Sequence, residues 1–291
     1  MNKFKKFLSE ENSFLLALPT IAWQILFFVI PLCFVILLSF FEHTPQTLFA
    51  SFSYQPFIDV FTLKHFFIIL RSLSLACMTA VSSLIFAYPV AYFLSYKTAR
   101  YRFFFLFLLT VPFLVNILVQ VYAWFFILDK QGIINNLAIS LGLISEPINF
   151  LESWISVNMV MFHVYLPFMV LPLFSAIEKI DHRLIEASLD LGASFFETVV
   201  RVLIPLSMPG IKSGFFLVLV TSFGEYALPA LMGGNRVFYV GTLISEYIFI
   251  GHDWGAGAAF LCMSCLVLVL SIYLWNLFFD SITFRSRKVQ V

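Results

Sequence analysis

Few residues in this 291-residue chain have the type and placement to do chemistry. Glu225 is the only charged residue in a run that is otherwise uncharged from Ser213 to Met232. A carboxylate in such surroundings needs compensation, either a cation moving past it or a hydrogen bond to a neighbouring helix, and both readings stand. His163, inside the uncharged run from Ser153 to Ile177, has the same two readings. Tyr122, Trp124, Tyr165 and Tyr226 can offer ring faces to a cation or serve packing and interface anchoring. Cys262 and Cys265 form a C-x-x-C pair, a redox or metal spacing in soluble folds. No basic residue or second pair lies near it, so these thiols read as small neutral hydrophobes. No glycine is followed by lysine, which excludes G-x-x-x-x-G-K-[ST], and there is no H-E-x-x-H or paired-cysteine zinc pattern. The chain therefore carries no predicted catalytic residue, metal site or cofactor, and reads as non-enzymatic.

The elements that position these residues follow from composition. Hydrophobic residues make up 61% of the chain and charged ones 11%, against about 25% charged in soluble domains. This excludes a disordered chain, a disulfide scaffold and, with a net charge of +1, a nucleic-acid binder. The remaining class is an all-α integral membrane protein. Apolar runs at 14–41, 66–95, 103–128, 153–177, 213–232 and 255–279 each meet the roughly 20 residues that a helix needs to cross the hydrocarbon. The first run is far longer than the about 7 to 15 apolar residues of a cleaved signal, so it reads as a retained helix. A shorter apolar stretch, 237–250, fits an interfacial or re-entrant segment.

Basic residues orient the six spans. Lys3, Lys5, Lys6, Lys97, Arg100, Arg102, Lys179, Arg183, Arg201, Lys212, Arg285, Arg287 and Lys288 fall on alternate segments; Lys64, Arg71, Lys130 and Arg236 fall on the others. The richer side is expected to be cytoplasmic, which places both termini, 1–13 and 281–291, and the loop 178–210 inside.

That loop is patterned. Leu184, Ala187, Leu191, Phe195, Val199 and Val202 recur at helical spacing. Asp181 is placed to cap a first helix and Gly192 to end it, and Ser194 with Glu197 makes a capping box for a second. Glu197 and Arg201 pair at i, i+4, and Pro205 is expected to stop the second helix. Such a hairpin either rests on the membrane or docks a cytoplasmic partner.

Within it, Glu186, Ala187 and Ser188, then Gly192, then Val202, Ile204 and Pro205 resemble the EAA motif of ABC importer permeases, with Ser188, Val202 and Ile204 replacing alanine, isoleucine and leucine. The stretches Val111 to Trp124, Leu166 to Asp181, Gly224 to Gly234 and His252 to Ala259 are similar to permeases for spermidine and putrescine, with Gly255 where proline is expected. The resemblance runs from about Phe66 to Asp280. It implies a type I (MetI-like) importer transmembrane domain at 66–280, in the bacterial inner membrane. Its coupling loop would dock an ATPase through Arg183, Glu186, Ala187, Ser188, Asp190, Gly192 and Pro205. The partners implied are two ATPase copies, a second permease in a heterodimer and an extracytoplasmic binding protein, with a polyamine as substrate. Glu225, Tyr226, His163, Tyr122 and Trp124 are the candidates to line its path.

Overall fold

Long uncharged apolar runs satisfy their backbone groups most simply as helices. In the computed structural model, all the regular structure among the described residues is helical apart from one isolated bridge between Phe41 and Phe52. Residues 13–41, 51–96, 100–233 and 237–288 are described, of which 13–16 and 283–288 as backbone alone. Lys3, Lys5, Lys6, Lys97, Gly234 and Arg236 lie outside them. Six helical stretches among the described residues are long and apolar enough to cross a membrane: Ala17–Leu38, Leu63–Tyr96, Ile117–Ser140, Trp154–Ile177, Phe195–Phe223 and Trp254–Ile282.

The chain divides into two compact units. The first joins Met1–His65 to Ile244–Met263. It holds α1 (Ser13–Gln24), a π turn (Ile25–Val29), α2 (Ile30–Leu38) and α3 (Gln55–Val60). Phe40 gathers Phe52, Tyr54 and Phe57 around it, with ring centroids 5.1 to 6.0 Å away. Asp253 Oδ1 accepts from Ala256 N at 2.9 Å and so caps the first turn of the last helix. Gly255 follows in that turn. A Cβ there would stand 2.6 Å from the Phe41 carbonyl oxygen, so the site that departs from the expected proline is one where the backbone approach leaves no room for a side chain.

The second unit, Phe66–Leu243 with Ser264–Val291, contains most of the bundle. Its elements are α4 (Leu63–Tyr96, which begins in the first unit), α5 (Arg102–Leu114), α6 (Ile117–Leu128), α7 (Ile133–Ser140) and α8 (Trp154–Ile177). They continue with α9 (His182–Asp190), α10 (Phe195–Thr198), a π turn (Val199–Leu203), α11 (Ile204–Phe223), α12 (Ala227–Met232) and α13 (Val240–Ser245). α13 ends in the first unit, which also holds a π turn at Glu246–Ile250 and the start of α14 (Trp254–Lys288); the part of α14 from Ser264 belongs to the second unit. The core is the seam of α8 and α11, where Met161, Met169, Leu173, Ile177, Phe215 and Leu219 are fully buried. Gly210 and Gly214 make that seam close: a Cβ on Gly210 would lie 2.4 Å from Ala176 Cβ and 2.8 Å from the Pro172 carbonyl oxygen. The G-x-x-x-G spacing works here as close helix approach.

Three sequence expectations change. The run 103–128 is two helices, parted where Val115 turns extended and Asn116 Oδ1 caps α6 by accepting from Leu118 N at 2.8 Å. The stretch long enough to span there is α6 with α7, Ile117–Ser140. Within 213–232 the chain breaks at Gly224 to Tyr226. Pro205 does not stop the second hairpin helix, which runs on as Phe195–Phe223. The π turn before it, closed by Ile204 N to Val199 O, leaves Pro205 near the start of α11, where an N–H is not required. Pro31 follows the π turn at Ile25–Val29 in the same way. Pro89, Pro167 and Pro172 lie inside continuous helices.

Candidate functional site

The hairpin between α8 and α11 is fixed by local hydrogen bonds from end to end. Asp181 Oδ1 accepts from Arg183 N at 3.0 Å and starts α9. At the other end Gly192 adopts φ +87°, a conformation that costs a side-chain-bearing residue energy. Gly192 N donates to Leu189 O at 2.9 Å and Ala193 N to Ser188 O at 3.2 Å, the paired bonds of a Schellman motif. Two residues later the capping box closes: Glu197 N donates to Ser194 Oγ at 3.3 Å and Ser194 N to Glu197 Oε2 at 2.9 Å. The Ser194 backbone and side-chain donors, then Arg201 at 3.7 Å, hold the Glu197 carboxyl below its usual pKa.

Ser188, the departure from the EAA pattern, has its hydroxyl 3.0 Å from Thr198 Oγ1, and Thr198 is fully buried. The substituted serine thus ties α9 to α10. Ile185 turns inward, while Arg183, Glu186, Ala187 and Asp190 are exposed and Pro205 is half-buried. Glu186 lies 3.3 Å from His182 Nδ1. The outer face also carries Leu191 at 89% exposure and Phe196 at 75%. Large apolar groups there stand beside the exposed charges of Arg183, Glu186 and Asp190, on a hairpin with fixed ends.

Glu225 sits in the break between α11 and α12, half-buried. Its Oε1 accepts from Ala227 N at 3.0 Å, satisfying a donor at the start of α12, and Oε2 accepts from Tyr165 OH at 2.5 Å. The carboxylate is thus hydrogen-bonded to a neighbouring span, and it stands at an interruption where irregular backbone needs either protein or a cavity around it. His163 lies against Trp124, with ring centroids 5.5 Å apart, and lines a groove of about 570 Å³ with Pro89, Phe105, Pro112 and Pro167. Tyr122 and Tyr226 are exposed. The structure so brings together two pairs, Glu225 with Tyr165 and His163 with Trp124. It does not gather all the path candidates into one cluster.

Two linkages escaped the sequence reading. Lys212 Nζ donates to Asp280 Oδ1 at 2.5 Å and to Asn276 Oδ1 at 2.9 Å, which joins α11 to α14. Arg102, at the start of α5, pairs with Glu178, the residue that closes α8. Charge sign hinted at both, but distance along the chain hid the partners.

Membrane-length helices with a hairpin between α8 and α11 define the fold. Two solved structures share it: a bacterial ABC transporter involved in the import of the acidic polysaccharide alginate (18% identity, TM-score 0.72, covering 97% of this chain and 100% of that one). The other is the bacterial alginate ABC transporter in complex with alginate pentasaccharide-bound periplasmic protein (17% identity, TM-score 0.76, 96% and 98%). Residues 83–283 match the family described as the binding-protein-dependent transport system inner membrane component. The spermidine/putrescine transport system permease protein PotB of Haemophilus influenzae is 34% identical over 93% of this chain and 94% of its own length. PotB of Escherichia coli K12 is 35% identical over 82% and 87%. The chain belongs to this family of inner-membrane components of binding-protein-dependent transport systems. It is a permease subunit of an ABC importer, resides in the inner membrane and, like its relatives, is not an enzyme.

Proposed function

We propose that this chain moves spermidine or putrescine across the inner membrane, driven by an ATPase that docks on the 178–210 hairpin. The observation that carries the docking half is the hairpin itself. Its ends are fixed by Asp181, Gly192 and Ser194, and its exposed face combines Leu191 and Phe196 with the charges of Arg183, Glu186 and Asp190. A rigid element is what a lever requires. The polyamine half draws support from the likeness to the PotB permeases over most of the chain. In this reading both termini and the hairpin face the cytoplasm, the domain at 66–280 pairs with a second permease, and the pair sits on two ATPase copies. An extracytoplasmic binding protein delivers the substrate.

Closure of the ATPase pair displaces α9, and the spans joined to it open outward. The coupling is real only if the ATPase and the substrate each favour one of two states. Glu225 offers the passing ammonium groups a counter-charge at the break in the fifth span, with His163, Trp124, Tyr122 and Tyr226 as the other candidates on that path.

Uptake of labelled spermidine and putrescine by a deletion strain complemented with Glu186→Arg or Gly192→Trp tests this. Both variants are expected to abolish ATP-dependent uptake while the protein still reaches the membrane. Uptake at the wild-type rate in both would sink the coupling reading in favour of a carrier that needs no ATPase. If the deletion strain takes up both polyamines normally, the substrate assignment fails.

A further inference from the structure

The hairpin is covalently continuous with α8 and α11 only, yet a third span holds it. On α4, Tyr88, Tyr92 and Tyr96 recur every four residues and so share one face of the helix. Each reaches a different root of the hairpin. Tyr88 OH lies 3.1 Å from Ser207 Oγ at the start of α11, and the fully buried Ser207 donates in turn to Leu203 O, the last residue of the π turn, at 2.7 Å. The Tyr92 ring meets the Phe195 ring edge-on at 5.6 Å, at the first residue of α10. Tyr96 OH is 3.1 Å from the carbonyl oxygens of both Ile177 and Ile180, and its ring stands perpendicular to His182 at 5.0 Å. One side chain thereby bridges the last residue of α8 and the first of α9.

Burial alone does not explain this set. Tyr88, Tyr92 and Tyr96 are only partly buried, and apolar side chains of similar size would fill the same space. What tyrosine adds at 88 and 96 is a hydroxyl aimed at the points where the hairpin joins its spans. The Ile177 carbonyl, in the last turn of α8, accepts from Ile180 N at 3.0 Å, and the Tyr96 hydroxyl is a second donor to the same oxygen. That second bond is the one that ties α4 to the end of α8. The Arg102–Glu178 pair adds α5 at the same junction. On the far side the α8–α11 seam is held rigid by the close approach at Gly210 and Gly214.

We propose that the Tyr88, Tyr92 and Tyr96 ladder is the joint through which displacement of the hairpin reaches α4, a span not attached to it by the chain. These are positioning residues: they touch neither substrate nor nucleotide, and they act by making α4 move with α9 and α10. The inference rests on the reading of the hairpin as the ATPase dock and names the route that motion takes from it.

Its test is the number of spermidine molecules imported per ATP hydrolysed, measured on the complete importer in proteoliposomes. Tyr96→Phe, alone and with Tyr88→Phe, removes the hydroxyls and keeps the rings, so the packing survives. ATP hydrolysis is expected to persist while import per ATP falls roughly threefold to tenfold, the effect of losing one net hydrogen bond from a two-state joint. Tyr92→Leu is expected to lower the ratio as well, and Tyr92→Phe to restore it, since that rung uses only the ring. An unchanged ratio in Tyr96→Phe overturns the inference. So does loss of co-purification with the ATPase, because the ladder would then be a prop for assembly and not a joint for motion. Import by the wild-type complex without ATP hydrolysis would instead sink the importer reading itself, an outcome told apart by the wild-type control.

Discussion

At Glu225 an observed structural role and the proposed counter-charge role fall on one carboxylate. Its two oxygens are already engaged, one with the start of α12 and one with Tyr165. A glutamine there keeps an acceptor for Ala227 N, and its amide can donate to the tyrosine oxygen, so Glu225→Gln removes the charge and little else. We expect this variant to assemble normally and to lose about tenfold in uptake at low polyamine concentration, as the loss of a charge-assisted contact requires. An unchanged rate and concentration dependence would remove Glu225 from the cation path. The suspicion attached to this residue was available from the sequence, because a charge in an apolar run has to be compensated. Its partner was not, since Tyr165 lies 60 positions away and a choice among several intramembrane tyrosines is made only by packing. The same limit applies to Ser188, a plain substitution in the motif until Thr198 is seen beside it.

At the level of elements, what depended on neighbouring residues was readable and what depended on the turn before was not. The caps at Asp181, Gly192 and Ser194 involve bonds across two to five positions, so residue type and spacing suffice to place them. Pro205 was expected to end a helix because its missing N–H normally breaks the ladder. The π turn at Val199–Leu203 carries the helix through, and nothing in residue type announces it. The breaks at Asn116 and Gly224 likewise lie within apolar runs that hydropathy alone reads as continuous. The α8–α11 seam supports a quantitative expectation. Gly210→Ala places a methyl 2.4 Å from Ala176 Cβ and 2.8 Å from the Pro172 carbonyl oxygen. Overpacking of this kind costs about 1–3 kcal/mol, and should lower the thermal midpoint of the detergent-solubilised protein by several degrees. Adding Ala176→Gly relieves the first clash and leaves the second, so recovery should be partial. A midpoint unmoved by Gly210→Ala would mean that the seam is looser than its geometry implies.

For the whole molecule, orientation is the property from which the remaining functional claims descend, since a hairpin can meet a cytoplasmic ATPase only from inside. The charge bias favours that side through basic residues spread over four segments, two of them at the ends of the chain. Hydropathy made the spans countable because lipid imposes one length on all of them. It carries no sign of direction, and the helices themselves are symmetric in that respect. Leu191 provides a direct probe: at 89% exposure it is the most prominent apolar residue of the hairpin, and it follows the end of α9. With Cys33, Cys77, Cys262 and Cys265 replaced by alanine, Leu191→Cys becomes the single thiol. A membrane-impermeant maleimide should label it in inside-out vesicles and not in intact cells. The assembled importer should then protect it, because the docking surface covers the leucine, and stripping the ATPase with chaotrope should restore labelling. Labelling in intact cells would reverse the orientation and remove the docking reading with it. Labelling in inside-out vesicles that the ATPase leaves unchanged would keep the orientation and move the dock away from the tip of α9.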